Sequence, residues 1–170
     1  MNLVKTMYYL EVLEALYRER IRYLIVGGLA VNLYGVPRVT QDIDVIISTE
    51  RENVLNIIKV LTKLEYVPRP PVKPEELADK EKVKDRIENR NLKAFSFYHR
   101  VDPYKIVDIL LDHPLDFERA EKNRTIKRIG EVEVYIASMD DLIRMKEKSG
   151  RSQDSSDVEM LNKVKSFMED

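Results

Sequence analysis

The stretch Tyr23-Leu-Ile-Val-Gly-Gly-Leu-Ala-Val-Asn-Leu-Tyr-Gly-Val-Pro-Arg-Val-Thr-Gln-Asp-Ile-Asp-Val-Ile-Ile47 decides how the rest of the chain is read. An apolar run ends in two glycines, a short helical pattern follows, and Asp-Ile-Asp opens a second apolar run. Side chains alternate along a strand, so a strand over Gln41–Ser48 puts Asp42 and Asp44 on one face and Ile43, Val45 and Ile47 on the other. Two neighbouring carboxylates repel, and each raises the other's pKa unless a cation holds them. A divalent metal is the simplest partner. Two solvated acids at a polar strand end are the alternative, and Gly27-Gly28 just upstream weighs against it.

Composition bounds the rest. The 170 residues are read as one domain spanning 1–170, with a core over 20–112 and a C-terminal hairpin and helices over 113–170. With 44% hydrophobic and 35% charged residues the chain is globular, not disordered. A formal net charge of -1 gives no global reason to expect nucleic acid or a membrane as partner, although a local basic groove stays open. The absence of cysteine excludes disulfides and thiolate metal sites. The opening Met1-Asn-Leu-Val-Lys-Thr-Met7 lacks a signal-peptide pattern, and no apolar run approaches the roughly 18–20 residues of a membrane span. The expected location is cytoplasmic. Abundant Lys, Glu and Arg lean toward a thermophilic source.

Periodicity then predicts the elements in order. Leu3, Met7, Leu10, Leu13 and Leu16 mark a helix over 3–20. A strand over Arg22–Val26 leads to a short helix over Leu29–Tyr34, which Gly35 stops. After the second strand, a helix runs to Leu64, with Ser48 or Thr49 as its cap and Val54, Leu55, Ile58 and Leu61 inward. Tyr66-Val67 begins a short edge strand that Pro68, Pro70, Pro71 and Pro74 interrupt. Residues 75–89 read as a charged helix or a flap. Strands over Leu92–Tyr98 and Tyr104–Leu111 form one hairpin. Thr125–Ile129 and Val132–Ile136 form another around Gly130-Glu131. Between the hairpins lies a short helix over Pro114–Lys122. Ser138 caps a helix through Lys148, and a last helix over Asp154–Met168 turns Val158, Leu161, Val164 and Phe167 or Met168 inward. The fold class is α+β, a mixed sheet flanked by helices.

Asp108, inside Ile106-Val-Asp-Ile-Leu110, is the one acid in an otherwise apolar strand, and a charge there needs a partner. With it, the chain resembles the DNA polymerase beta-like nucleotidyltransferase superfamily. That resemblance rests on Ile25-Val-Gly-Gly28, Gln41-Asp-Ile-Asp-Val45 and Asp108. It extends more loosely over Ser138–Lys146 and Arg151–Asp157, which are similar to minimal nucleotidyltransferases and abortive-infection-type toxin transferases. Gly28 stands where many members carry serine. The resemblance implies transfer of an NMP from an NTP to a hydroxyl of a small molecule, protein or RNA, with Mg²⁺. Asp42 and Asp44 would hold two ions, and Asp108 would ligate one and serve as base. Gly27 and Gly28 let the backbone approach phosphate, and the helix after them offers free N–H groups. Arg38, Thr40, Lys146 and Arg151 are candidates for nucleotide contacts, each weighed against a solvated or ion-paired side chain. Asp154 and Asp157 share a face of the last helix and either cap it or pair with Arg151. His99 and His113 lack a second ligand at a metal-site spacing and read as solvated. Tyr8 and Tyr9 read as packing or as a partner surface. Two alternatives remain: a catalytically silent binding module, and a toxin with an antitoxin-type protein partner.

Overall fold

The computed structural model of the chain describes the backbone of residues 3–69 and 73–170, with side chains from Tyr8 onward. The expected apolar positions Leu3 and Met7 and the prolines at 70 and 71 therefore lie outside the described side chains. The elements follow in the order α1 (Leu3–Arg18), β1 (Tyr23–Val26), α2 (Gly27–Leu33), β2 (Ile43–Ile47), α3 (Arg51–Lys63), β3 (Tyr66–Pro68), a 3₁₀ turn (Pro74–Ala78), α4 (Lys80–Arg90), β4 (Ala94–His99), β5 (Ile106–Leu110), α5 (Phe117–Lys122), β6 (Thr125–Ile129), β7 (Val132–Ile136), α6 (Met139–Ser149) and α7 (Ser152–Glu169).

All seven strands join one mixed sheet in the order β3-β4-β5-β2-β1-β7-β6. β1 and β2 are antiparallel, whereas β2–β5 and β1–β7 are parallel. Both hairpins are present as antiparallel pairs, β4–β5 and β6–β7. β1 is buried along its whole length, as its unbroken Tyr-Leu-Ile-Val run requires of a central strand. β4 and β5 instead alternate buried with half-exposed residues, so one face of that half of the sheet remains open. Val54, Ile57, Ile58 and Leu61 of α3 join Ile43, Val45, Val107 and Ile109 in the hydrophobic core. No helix among the described residues is long and apolar enough to cross a membrane.

Several local expectations are corrected. α2 begins at Gly27, two residues earlier than the apolar pattern suggested, because Gly27 itself makes the turn off β1 at φ +68. β2 begins at Ile43, so Asp42 lies just before the strand rather than in it. α3 has Glu50 at its N-cap position with no side-chain cap, and Ser48 turns its hydroxyl to the Glu50 N–H instead. The 75–89 segment resolves into the 3₁₀ turn and α4, with Asp79 accepting from the Glu81 and Lys82 N–H groups. Phe167 and Met168 are 80% and 69% exposed, not inward. Leu161 is the last buried residue of α7, whose final turns run past the core.

Asn53 carries a structural role that periodicity does not register. It is buried on α3, where its Oδ1 accepts from the Arg22 N–H at 2.8 Å. Its Nδ2 lies 3.0 Å from both the Arg22 and Ser48 carbonyls. One amide thus satisfies the backbone just before β1 and just after β2. Asn53→Ala leaves the Arg22 N–H and the Ser48 carbonyl without their side-chain partner, while the Arg22 carbonyl keeps the Ser48 N–H, and is expected to cost about 2–3 kcal/mol, to be measured by urea unfolding.

Candidate active site

The register of the sheet sets the centre of the site. Val26 pairs with Asp44, Asp44 with Asp108, and Asp108 with Ser96, so these four residues form one row across β1, β2, β5 and β4. Asp44 and Asp108 are direct neighbours on parallel strands. Burial, the charge of Asp108 and that of Asp42 push the Asp44 carboxyl up to about 7, against weaker opposing pulls from Lys146 and Arg151. Burial and Asp108 also raise Asp42, with Arg69 opposing. Asp108 Oδ1 is buried without a hydrogen-bond partner. This is a cluster short of positive charge. Among the described residues no three acidic or imidazole side chains are drawn into a ready-made metal cage. Asp42 sits just before the ladder that aligns the other two.

Gly27 and Gly28 flank this row for different reasons. A Cβ on Gly27 would lie 2.2 Å from Asp44 Oδ2, and its φ of +68 is a left-handed conformation that favours glycine. A Cβ on Gly28 would meet Arg38 Nη1 at 2.6 Å and Thr40 Oγ1 at 2.7 Å. The space that a serine would fill is therefore taken by Arg38 and Thr40. α2 spans only seven residues, so its dipole is small, and close approach is the glycines' main contribution.

Behind Arg38 stands a buried ionic network. Its Nη1 lies 3.1 Å from Asp157 Oδ2, and Lys146 Nζ lies 2.9 Å from that same oxygen and 3.4 Å from Asp154 Oδ1. Arg151 Nε donates to Asp154 Oδ2 at 2.8 Å, while its side chain stays 78% exposed. Burial alone would raise the Asp154 carboxyl. Hydrogen bonds from Ser149 and Arg151, together with the charge of Lys146, outweigh burial and hold it below the ordinary range. Lys146 and Arg151 thus lie within electrostatic reach of Asp44, and both are ion-paired. Asp154 and Asp157 pair with three cations rather than with Arg151 alone. Lys146→Ala leaves Asp157 with Arg38 and Asp154 with Arg151 alone, and removing the buried cation they share is expected to cost about 1–3 kcal/mol in chemical denaturation.

Other residues fall outside sequence expectation. Tyr8 and Tyr9 are buried, as the packing reading expects, but their phenols also bond to main chain beside the acids, which a packing pattern does not announce. Arg69 is the cation acting on Asp42 from the β3 side, and Ser96 sits opposite Asp108. His99 accepts backbone N–H groups of Val101 and Asp102 through Nδ1. His113 accepts that of Leu115 and is held below its usual pKa by burial, so neither histidine joins the acids. A cleft of about 520 Å³ lined by Tyr17, Arg20, Arg124 and Tyr135 lies at the Arg22 end of β1, opposite Gly27.

This arrangement is that of the nucleotidyltransferase fold. The chain is similar in structure to the lincosamide antibiotic adenylyltransferase LnuA in its lincomycin-bound form, at TM-score 0.59 and 15% identity, covering 96% of this chain and 98% of that one. It is also similar to an antigenic nucleotidyltransferase-like protein from Paracoccidioides brasiliensis, at TM-score 0.58 and 17% identity over 96% and 77% of the two chains. The antibiotic-resistance factor ANT(2'')-Ia gives TM-score 0.58 and 11% identity over 95% and 84%. No functionally curated protein is significantly similar in sequence. The chain belongs to the family described as nucleotidyltransferase of unknown function (DUF6036), whose family model matches residues 3–166.

Proposed function

We propose that the protein transfers a nucleoside monophosphate from an NTP to an acceptor hydroxyl with the help of Mg²⁺. One observation carries this reading: Asp44 and Asp108 stand side by side in register, with a buried, unpartnered Asp108 oxygen and Gly27 held open against Asp44. Three carboxylates supply the hard oxygen donors that Mg²⁺ takes, and a buried, mutually repelling set of acids with one unpartnered oxygen fits a divalent cation. Asp42, Asp44 and Asp108 would hold the metal. Bound there, Mg²⁺ neutralises phosphate charge and lowers the pKa of the acceptor hydroxyl.

The chain's own groups do the rest. Gly27 and Gly28 let phosphate oxygens reach the backbone. Arg38, set against Asp157, and Thr40 face that same space and orient the phosphates. Lys146 supplies a fixed positive charge behind Asp44, while the exposed Arg151 can reach out over the nucleotide. Asp108 Oδ1 accepts the proton of the acceptor hydroxyl. The acceptor oxygen then bonds to the α-phosphorus as the bond to pyrophosphate breaks. The open face of β4 and β5 leaves room for the acceptor beside Asp108.

The test incubates the protein with each α-³²P-labelled NTP, Mg²⁺ and either a cell extract or hydroxyl-bearing antibiotics, lincomycin and tobramycin among them. Label should pass to an acceptor in the wild type and not in Asp108→Asn. Failure of every NTP to label any acceptor, with no Mg²⁺-dependent nucleotide binding, would sink the reading.

A further inference from the structure

We infer that Tyr8 and Tyr9 are positioning residues that fix the Asp42 end of the acidic cluster, a role resting on the transfer reading above. Asp44 and Asp108 are aligned by the ladder between β2 and β5, but that ladder starts at Ile43↔Val107 and leaves Asp42 outside it. Something else must hold the preceding backbone. Tyr8 Oη donates to the Ile106 carbonyl at 2.7 Å, accepts from the Ile106 N–H at 3.2 Å, and lies 3.3 Å from the Gln41 carbonyl. Tyr9 Oη donates to the Thr40 carbonyl at 3.2 Å.

Two consecutive phenols of α1 therefore grip the two residues just before Asp42 and the first residue of the strand that carries Asp108. The grip is stiff. Both rings are nearly fully buried, and their centroids lie 4.6 Å apart. Burial, with Asp42 nearby, also raises both phenols, so they remain protonated donors. The phenols touch no carboxylate; they hold the main chain from which Asp42 projects, one step behind the direct hydrogen bonds to a ligand whose loss typically weakens metal affinity about 10–100-fold. Arg38 and Thr40 share the same loop, so the phenols also place the groups that face Gly28.

The experiment compares wild type, Tyr8→Phe, Tyr9→Phe and the double variant, each of which keeps its ring. Tyr34→Phe is the control; this half-buried phenol loses its bonds to the Ala137 carbonyl at 2.7 Å and the Thr125 hydroxyl at 2.8 Å, away from the acids. Mn²⁺ affinity is read by electron paramagnetic resonance, and amide hydrogen exchange is followed over residues 40–42 and 45–47. The double variant should bind Mn²⁺ roughly tenfold more weakly and exchange faster at 40–42 only. Tyr34→Phe should change neither. Unchanged exchange at 40–42 overturns the inference, as does an Mn²⁺ affinity that survives or that falls equally in Tyr34→Phe. A wild type that takes up no Mn²⁺ overturns the transfer reading instead, and the exchange arm, which needs no metal, still decides the positioning.

Discussion

Asp44→Asn is expected to raise the melting temperature of the metal-free protein at pH 8 while reducing nucleotidyl transfer by on the order of 10³-fold. Burial and the charges of Asp108 and Asp42 push the folded-state carboxyl up to about 7, well above its ordinary value. Between about pH 4 and pH 7 the folded chain therefore holds this proton more firmly than the unfolded chain does. Stability falls as pH rises through that window, and the whole penalty is present above pH 7. Asparagine has no charge to bury, so the variant escapes it. The gain should be on the order of 2 kcal/mol, or several degrees in Tm.

The wild type should lose Tm between pH 5 and pH 8, and Asp44→Asn should be much flatter over the same range. Mg²⁺ should restore the wild type at pH 8 and leave the variant unmoved. Differential scanning calorimetry at both pH values, with and without Mg²⁺, reads all of this. A variant less stable than wild type at pH 8, or one that responds equally to Mg²⁺, contradicts the assignment.

The same residues show how far the sequence carried the reading. Asp-Ile-Asp after a double glycine, with one acid in a later apolar strand, carries the resemblance that implies a shared site for β1, β2 and β5, and the structure pairs β1 with β2 and β2 with β5. Strand alternation puts Asp42 and Asp44 on a common face; that Asp108 joins them is what the resemblance implies, and its direct pairing with Asp44 comes from the β2–β5 register. What alternation cannot do is locate the end of a ladder. It placed Asp42 inside β2, whereas pairing begins one residue later.

Long-range polar contacts were hidden for a related reason. Lys146 and Asp157 are 11 residues apart on successive helices, Arg22 and Asn53 are 31 apart, and Tyr8 and Ile106 are 98 apart. No local pattern encodes such pairings. For Lys146 and Arg38 the sequence leaves a phosphate contact and an ion pair equally open; both are tied to the buried Asp157, and Arg38 is thereby held beside Gly28. Phe167 and Met168 failed the opposite way: helical spacing continued after the core had ended.

Gly27→Ala is the second large effect, and it separates two glycines that look equivalent in sequence. The added methyl would lie 2.2 Å from Asp44 Oδ2 and 3.0 Å from both Asp44 Cβ and Cγ. A side chain as short as aspartate cannot clear that contact by moving its tip alone, so Asp44 must rotate away from Asp108 or the turn must shift. The backbone at φ +68 adds its own strain, about 1–3 kcal/mol for a residue other than glycine. Activity should fall roughly as far as in Asp44→Asn, but stability should fall as well, where Asp44→Asn gains it. Gly28→Ala meets the far end of the long Arg38 side chain and the Thr40 hydroxyl, and has no left-handed backbone to strain. It should lose clearly less stability than Gly27→Ala, through a shifted Arg38–Asp157 pair, and weaken nucleotide binding by displacing Arg38. Urea unfolding of both variants, alongside a fluorescent-nucleotide titration, tests the contrast. Equal stability losses at 27 and 28 would mean that the crowding around Asp44 is not what this turn is built on.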